Sequence, residues 1–181
     1  MDGKKRKLLI FDLLLMAVLV AADQFTKYLA VIKLKDQPSF DIIGGVLEFS
    51  YLENRGAAFG MLQNQKIFFV FVAVVFLCAI VYVLLKAPSQ NKYNSLHFLL
   101  VMIAAGAVGN LIDRLRLDYV VDFIYIVLIN FPIFNVADMY VTISTAILVV
   151  LMLFVYKEDD FAFLGFHPAP EAESKENLRK E

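Results

Sequence analysis

Four stretches of this sequence are long and apolar enough to cross a bilayer, and they constrain the fold more than any other feature. A hydrocarbon core about 30 Å thick takes about 20 residues of helix. The clearest stretch runs from Ile67 to Leu85 between Lys66 and Lys86. Residues 93–112 are uncharged apart from the possible charge of His97, and residues 139–156 are uncharged throughout. The first stretch, Leu8 to roughly Ile32, is interrupted by Asp12, Asp23 and Lys27, yet still spans best as one helix. With 60% hydrophobic residues and a mean hydropathy of +0.69, a soluble globular domain is excluded. The expected fold is an all-α polytopic membrane protein of four transmembrane helices.

Charge then orients the spans. Lys4, Lys5, Arg6 and Lys7 precede the first one and hold the N terminus in the cytoplasm by the positive-inside rule. That start also resembles a secretory signal, but three further spans favour a retained anchor. Both termini are then cytoplasmic, and residues 33–66 and 113–137 lie outside. In the first outer loop Gly44 and Gly45 separate two β-prone runs, so a hairpin and a small extracytoplasmic sheet are expected. Residues 1–156 form the membrane domain. Residues 157–181 form a cytoplasmic tail, acid-rich with Pro168 and Pro170, whose last ten or so residues are expected to be disordered.

Several chemistries are excluded. The net charge of -1 gives no argument for nucleic acid. A single cysteine, Cys78, forms no intrachain disulfide. The only histidines, His97 and His167, do not have metal-ligand spacing, so no metal site is expected. Ser144 has no base nearby in sequence, and the glycines of "AAGAVG" read as close helix packing.

What remains is polar residues gathered at the outer ends of the spans. Asn110 and Arg114 share a face of the third helix with Asp113 beside them, and Asn135 and Asp138 stand one turn apart at the start of the fourth. Asp122 lies on the connection between them. Asn54, Gly56 and Gly60 read as a polar turn, and Asp23 and Lys27 are spaced as a helical ion pair. Each feature has a structural reading by itself: an interfacial ion pair, a helix-end contact, or, for Asp138, an acid favoured by the helix dipole at about 0.3–1 kcal/mol. Together they supply more. Two carboxylates held close share a proton, so that one activates water while the other acts as acid.

The motifs "DQFTK" at 23–27, "NRGAAFG" at 54–60, "AGAVGNLIDR" at 105–114, "VVDF" at 120–123 and "FNVAD" at 134–138 together resemble the lipoprotein signal peptidases, bacterial signal peptidase II. The resemblance covers roughly residues 8–156. Ala105, Phe131 and Met139 depart from the family pattern without removing a polar group. It implies an inner-membrane aspartyl endopeptidase with a small extracytoplasmic β-cradle. Its substrates would be diacylglyceryl-modified prolipoproteins, cut just before the lipidated cysteine. By motif the catalytic dyad is Asp122 and Asp138. Asn54, Asn110, Arg114 and Asn135 would bind or orient substrate and dyad, Asp23 and Asp113 would support the fold, and Gly56 and Ala137 would stand among them as binding or supporting positions. No metal or organic cofactor is expected; the partners are substrate and membrane lipids, and the protein is expected to be a monomer. Asp138 is expected to be fixed by its helix, while Asp122, on a loop, completes the site as substrate docks. The alternative is a small proton- or ion-coupled transporter using Asp12, Asp23 and Asp138 as relays.

Overall fold

In lipid the backbone's polar groups must be satisfied within the segment, so the apolar runs form helices. The computed structural model describes residues 3–56 and 63–165. Its helices are α1 (Gly3–Leu34), α2 (Lys66–Lys86), α3 (Asn94–Leu117) and α4 (Val136–Phe154), and its strands β1 (Phe40–Ile43), β2 (Leu47–Asn54) and β3 (Val120–Ile126). All four helices are long and apolar enough to cross a membrane. Gly60 of the expected polar turn, and the end of the tail with His167, lie outside the described residues.

Helix α3 is the centre of the bundle and packs against α1, α2 and α4. The other three present large apolar side chains outward, as lipid-facing helices do. Close approach to α3 depends on its small residues. A Cβ at Gly106 would stand 2.4 Å from the carbonyl oxygen of Ala137, and one at Gly109 would stand 2.4 Å from Oδ2 of Asp23. Only glycine admits α4 and the Asp23 carboxylate at these two points, as the "AAGAVG" reading anticipates.

The end of the bundle away from the sheet is tied by polar contacts. Lys5 reaches across to the carbonyls of Leu84, at 2.7 Å, and Ala87, closing the C terminus of α2 just before Pro88. Asp12 accepts a place in the interior because His97 Nδ1 lies 2.6 Å from its Oδ2. Beyond α4 a 3-10 turn, Glu158–Leu164, folds back so that Phe161 and Phe163 pack on Tyr156 and Tyr93. Lys92 and Asp160 pair at 2.5 Å.

The strands form one antiparallel sheet in the order β1-β2-β3. The expected hairpin is present, with Gly45 at φ 72°. The third strand corrects the sequence reading, which left residues 120–126 as a connection. Leu52 stands opposite Asp122 and Asn54 opposite Val120, with a bulge between Phe49 and Leu52. The run "VVDFIYI" is β-prone, but its partner lies some seventy residues earlier, so pairing rather than local preference decides it. Val121 and Phe123 pack with Ala30 of α1, seating the sheet on the end of that helix.

Candidate active site

Asp138 is placed by a local rule. Asn135 caps α4, accepting the backbone N–H of Asp138 at 3.0 Å, and the Asp138 carboxylate returns to the backbone N–H of Asn135 at 3.1 Å. Asp122 is placed by the sheet. A bridge between Ile124 and Phe134, with N–H to carbonyl distances of 2.8 and 3.0 Å, fastens the chain entering α4 to β3. The two aspartates therefore share one rigid frame.

Each carboxylate oxygen has a donor. Asp122 Oδ1 accepts from Asn135 Nδ2 at 2.6 Å and its Oδ2 from Asn54 Nδ2 at 2.8 Å. Asp138 Oδ1 accepts from Asn110 Nδ2 at 2.7 Å, while its Oδ2 takes the Asn135 backbone N–H. Asp122 is 1% exposed. Burial, with the nearby negative charge of Asp138 adding to it, pushes its carboxyl up to about 7, against the opposing pull of the Asn54 and Asn135 donors. A carboxyl on β3 thus keeps its proton near neutral pH. The expectation that Asp122 lies on a loop is corrected: β3 carries it and holds it against Asn54 and Asn135.

Both acids face a cavity of about 540 Å³. Its polar wall is Asn54, Gly56, Asn110, Arg114 and the two aspartates; the remainder is mostly apolar, including Phe69, Phe131, Ile133 and Ile143. Arg114 stacks over the Phe69 ring at 4.7 Å and donates to the Gly56 carbonyl at 3.4 Å, tying α3 to the loop after β2. Gly56 N–H in turn donates to Asn54 Oδ1 at 2.9 Å, which leaves the Asn54 amide nitrogen aimed at Asp122.

The remaining candidates stand behind this wall. Asp23 Oδ1 accepts the backbone N–H of Ala137 at 3.0 Å, so a carboxylate from α1 satisfies the first turn of α4. Ala137 is fully buried against α3, where it stands as a supporting position. Asp113 turns away from Arg114: it pairs with Lys27 at 2.9 Å and accepts the Val121 N–H at 3.2 Å, next to Asp122. The Asp23–Lys27 pair is present at 3.0 Å. Sequence reasoning passed over Gln24, which donates to Asp113 at 2.9 Å and to the Gly109 carbonyl at 3.2 Å; its place inside "DQFTK" was the available signal. It also passed over the apolar lining, for which there was none, because a cavity-facing Phe69 or Ile143 reads like a lipid-facing one. Among the described residues no group of acids, histidines and cysteines is arranged to hold a metal ion.

A family model for signal peptidase (SPase) II matches residues 15–154, which contain every residue of the site. The chain belongs to the signal peptidase II family. It is 46% identical to the lipoprotein signal peptidase of Caldanaerobacter subterraneus over 143 residues, 78% of this chain and 95% of that one. It is 39% identical to that of Streptococcus pyogenes serotype M5 over 157 residues, 87% of this chain and 98% of that one. Two bacterial membrane enzymes solved by the in meso method share the fold. One, at 2.3 Å resolution, superposes with a TM-score of 0.70 at 32% identity over 79% of this chain and 87% of its own; the other, at 1.9 Å, gives 0.69 at 33% over 81% and 94%. The transporter alternative finds no support in these comparisons.

Proposed function

We propose that Asp122 and Asp138 are the catalytic pair with which this member of the signal peptidase II family removes the signal peptide from prolipoproteins. The observation that carries the reading is that two carboxylates from different elements, each held by asparagine donors on both oxygens, face one cavity at the sheet end of the bundle. Near neutral pH the pair holds one proton. The ionised member takes a proton from a water as its oxygen attacks the scissile carbonyl, and the protonated member donates to the carbonyl oxygen. The resulting tetrahedral diol collapses when the first acid gives its proton to the leaving amine and the second, now ionised, takes a proton from a diol hydroxyl, which forms the carboxylic acid product and restores the pair. Asn54 and Asn110 hold the carboxylates, and the Arg114 guanidinium offers a positive charge at the cavity wall.

The substrate is a diacylglyceryl-modified precursor, cut before its lipidated cysteine. Acyl chains anchor that cysteine at the membrane surface, which delivers the scissile bond to a dyad at the same depth. The apolar lining around Phe69 and Ile143 suits such chains. The enzyme acts as a monomer, with both termini in the cytoplasm and the sheet outside, in keeping with the basic start of α1.

The test is cleavage of a diacylglyceryl-modified prolipoprotein in detergent by the wild type, Asp122→Asn and Asp138→Asn, each checked for thermal stability. Both variants are expected to stay folded and lose about 10²- to 10⁴-fold in rate. Near wild-type turnover by either removes the dyad assignment. Equal cleavage of the unmodified precursor removes the lipid requirement.

A further inference from the structure

Lys27 lies one layer behind the cavity and belongs to none of its walls. Its ammonium is 3% exposed and has three partners: Asp23 Oδ2 at 3.0 Å, Asp113 Oδ2 at 2.9 Å and Asn110 Oδ1 at 2.8 Å. An ammonium has three N–H donors and no acceptor, so all of its capacity is committed. The third bond matters for the dyad. An asparagine amide has an oxygen end that accepts and a nitrogen end that donates, and the two are nearly the same size. Asn110 Oδ1 receives Lys27 and also Asn135 Nδ2 at 3.1 Å, which fills both of its lone pairs. Its Nδ2 is thereby turned to Asp138 Oδ1 at 2.7 Å. A flipped amide would set an NH2 group against an ammonium and against the Asn135 amide nitrogen, and an oxygen against the Asp138 carboxylate.

Asn135 is ordered by the same logic. Its oxygen accepts the Asp138 backbone N–H, so its amide nitrogen is left to serve Asn110 Oδ1 and Asp122 Oδ1. Donor direction is then defined throughout, from the ammonium through Asn110 to Asp138, and from Asn135 to Asp122. A water in place of Lys27 would both donate and accept, so it would add no preference of its own to those that Asn135 and Asp138 set.

We propose that Lys27 is a positioning residue for the reaction: by holding Asn110 Oδ1, its ammonium fixes which end of that amide meets Asp138. The inference rests on the catalytic reading of Asp122 and Asp138. Lys27 also neutralises Asp23 and Asp113, so its removal bears on folding as well, and the test separates the two roles.

Steady-state cleavage of a diacylglyceryl-modified prolipoprotein is measured per folded enzyme for the wild type, Lys27→Met and Lys27→Arg, with Asp122→Asn and Asp138→Asn alongside. Lys27→Met is expected to lower kcat by about 10²-fold and leave KM within about threefold, the pattern of misplaced catalytic groups rather than of lost binding. Lys27→Arg keeps the charge, but its planar fork does not point three donors as an ammonium does. It is expected to recover thermal stability and still lose about tenfold or more in kcat. Should Lys27→Met not accumulate, Lys27→Met/Asp113→Asn measured against Asp113→Asn takes its place, with the same kcat loss expected. Unchanged kcat per folded enzyme, a rise in KM alone, or full kcat in Lys27→Arg overturns the proposal. Activity in Asp122→Asn or Asp138→Asn overturns the dyad instead, so the two failures are distinguishable.

Discussion

Replacing Gly106 with alanine asks how tightly the frame of α3 and α4 sets the site. The added methyl would lie 2.4 Å from the Ala137 carbonyl oxygen and 2.7 Å from Val141 Cγ2, where ordinary contact begins at 3.4 Å. The valine can rotate, but the carbonyl belongs to the first turn of α4 and cannot. The start of that helix must therefore withdraw by about 1 Å. Asp138 follows Ala137 directly, so its 2.7 Å bond to Asn110 would lengthen beyond hydrogen-bonding range. On the proposed catalytic role of Asp138, a displacement of this size costs about 10²-fold in rate, on the order of 2.7 kcal/mol of barrier, and overpacking costs about 1–3 kcal/mol of stability. Initial rates of prolipoprotein cleavage over a range of substrate concentrations, with thermal unfolding of the same samples, read both effects. Gly44→Ala is the control, because its methyl meets nothing within 4 Å and is expected to change neither quantity. A Gly106→Ala enzyme with wild-type kcat would show that the α3–α4 spacing does not govern the site.

The raised carboxyl of Asp122 gives two pH dependences of the same sign. On the proposed dyad, activity is expected to fall as pH rises through about 7, as Asp122 loses its proton, and a profile flat from pH 5 to 9 would contradict this. Because the folded value stands above the ordinary 3.8, the native state holds a proton that the unfolded chain releases. Stability from this group is thus fully present below about 4 and declines up to about 7. Asp122→Asn is expected to remove that decline in thermal unfolding measured across the window. At the other end of the bundle, Asp12→Ala leaves both His97 nitrogens without a partner among the described residues, since Nε2 already has none. The expected result is a loss of about 1–3 kcal/mol in stability with kcat and KM unchanged, and a specific loss of kcat would refute the purely structural role.

The sequence by itself determined what depends on near neighbours along the chain. The four spans follow from the length of the apolar runs. The cap that fixes Asp138 follows from Asn135 three residues before it, the Asp23–Lys27 pair from one helical turn, and the hairpin from Gly44 and Gly45 between β-prone runs. Tertiary structure decided the rest. Asp122 read as a loop residue because the strand that orders it is β2, far upstream, and because the Ile124–Phe134 bridge that ties it to α4 leaves no periodic mark. Asp113 read as a neighbour of the Asn110–Arg114 pair with no partner of its own named, and its charge is met by Lys27 on another helix. Asp12 read as a charge interrupting the first span, and α3 is what brings His97 to it. In each case a buried polar group is satisfied across elements, where the loss of hydration is offset by a donor or charge that only the packed bundle supplies.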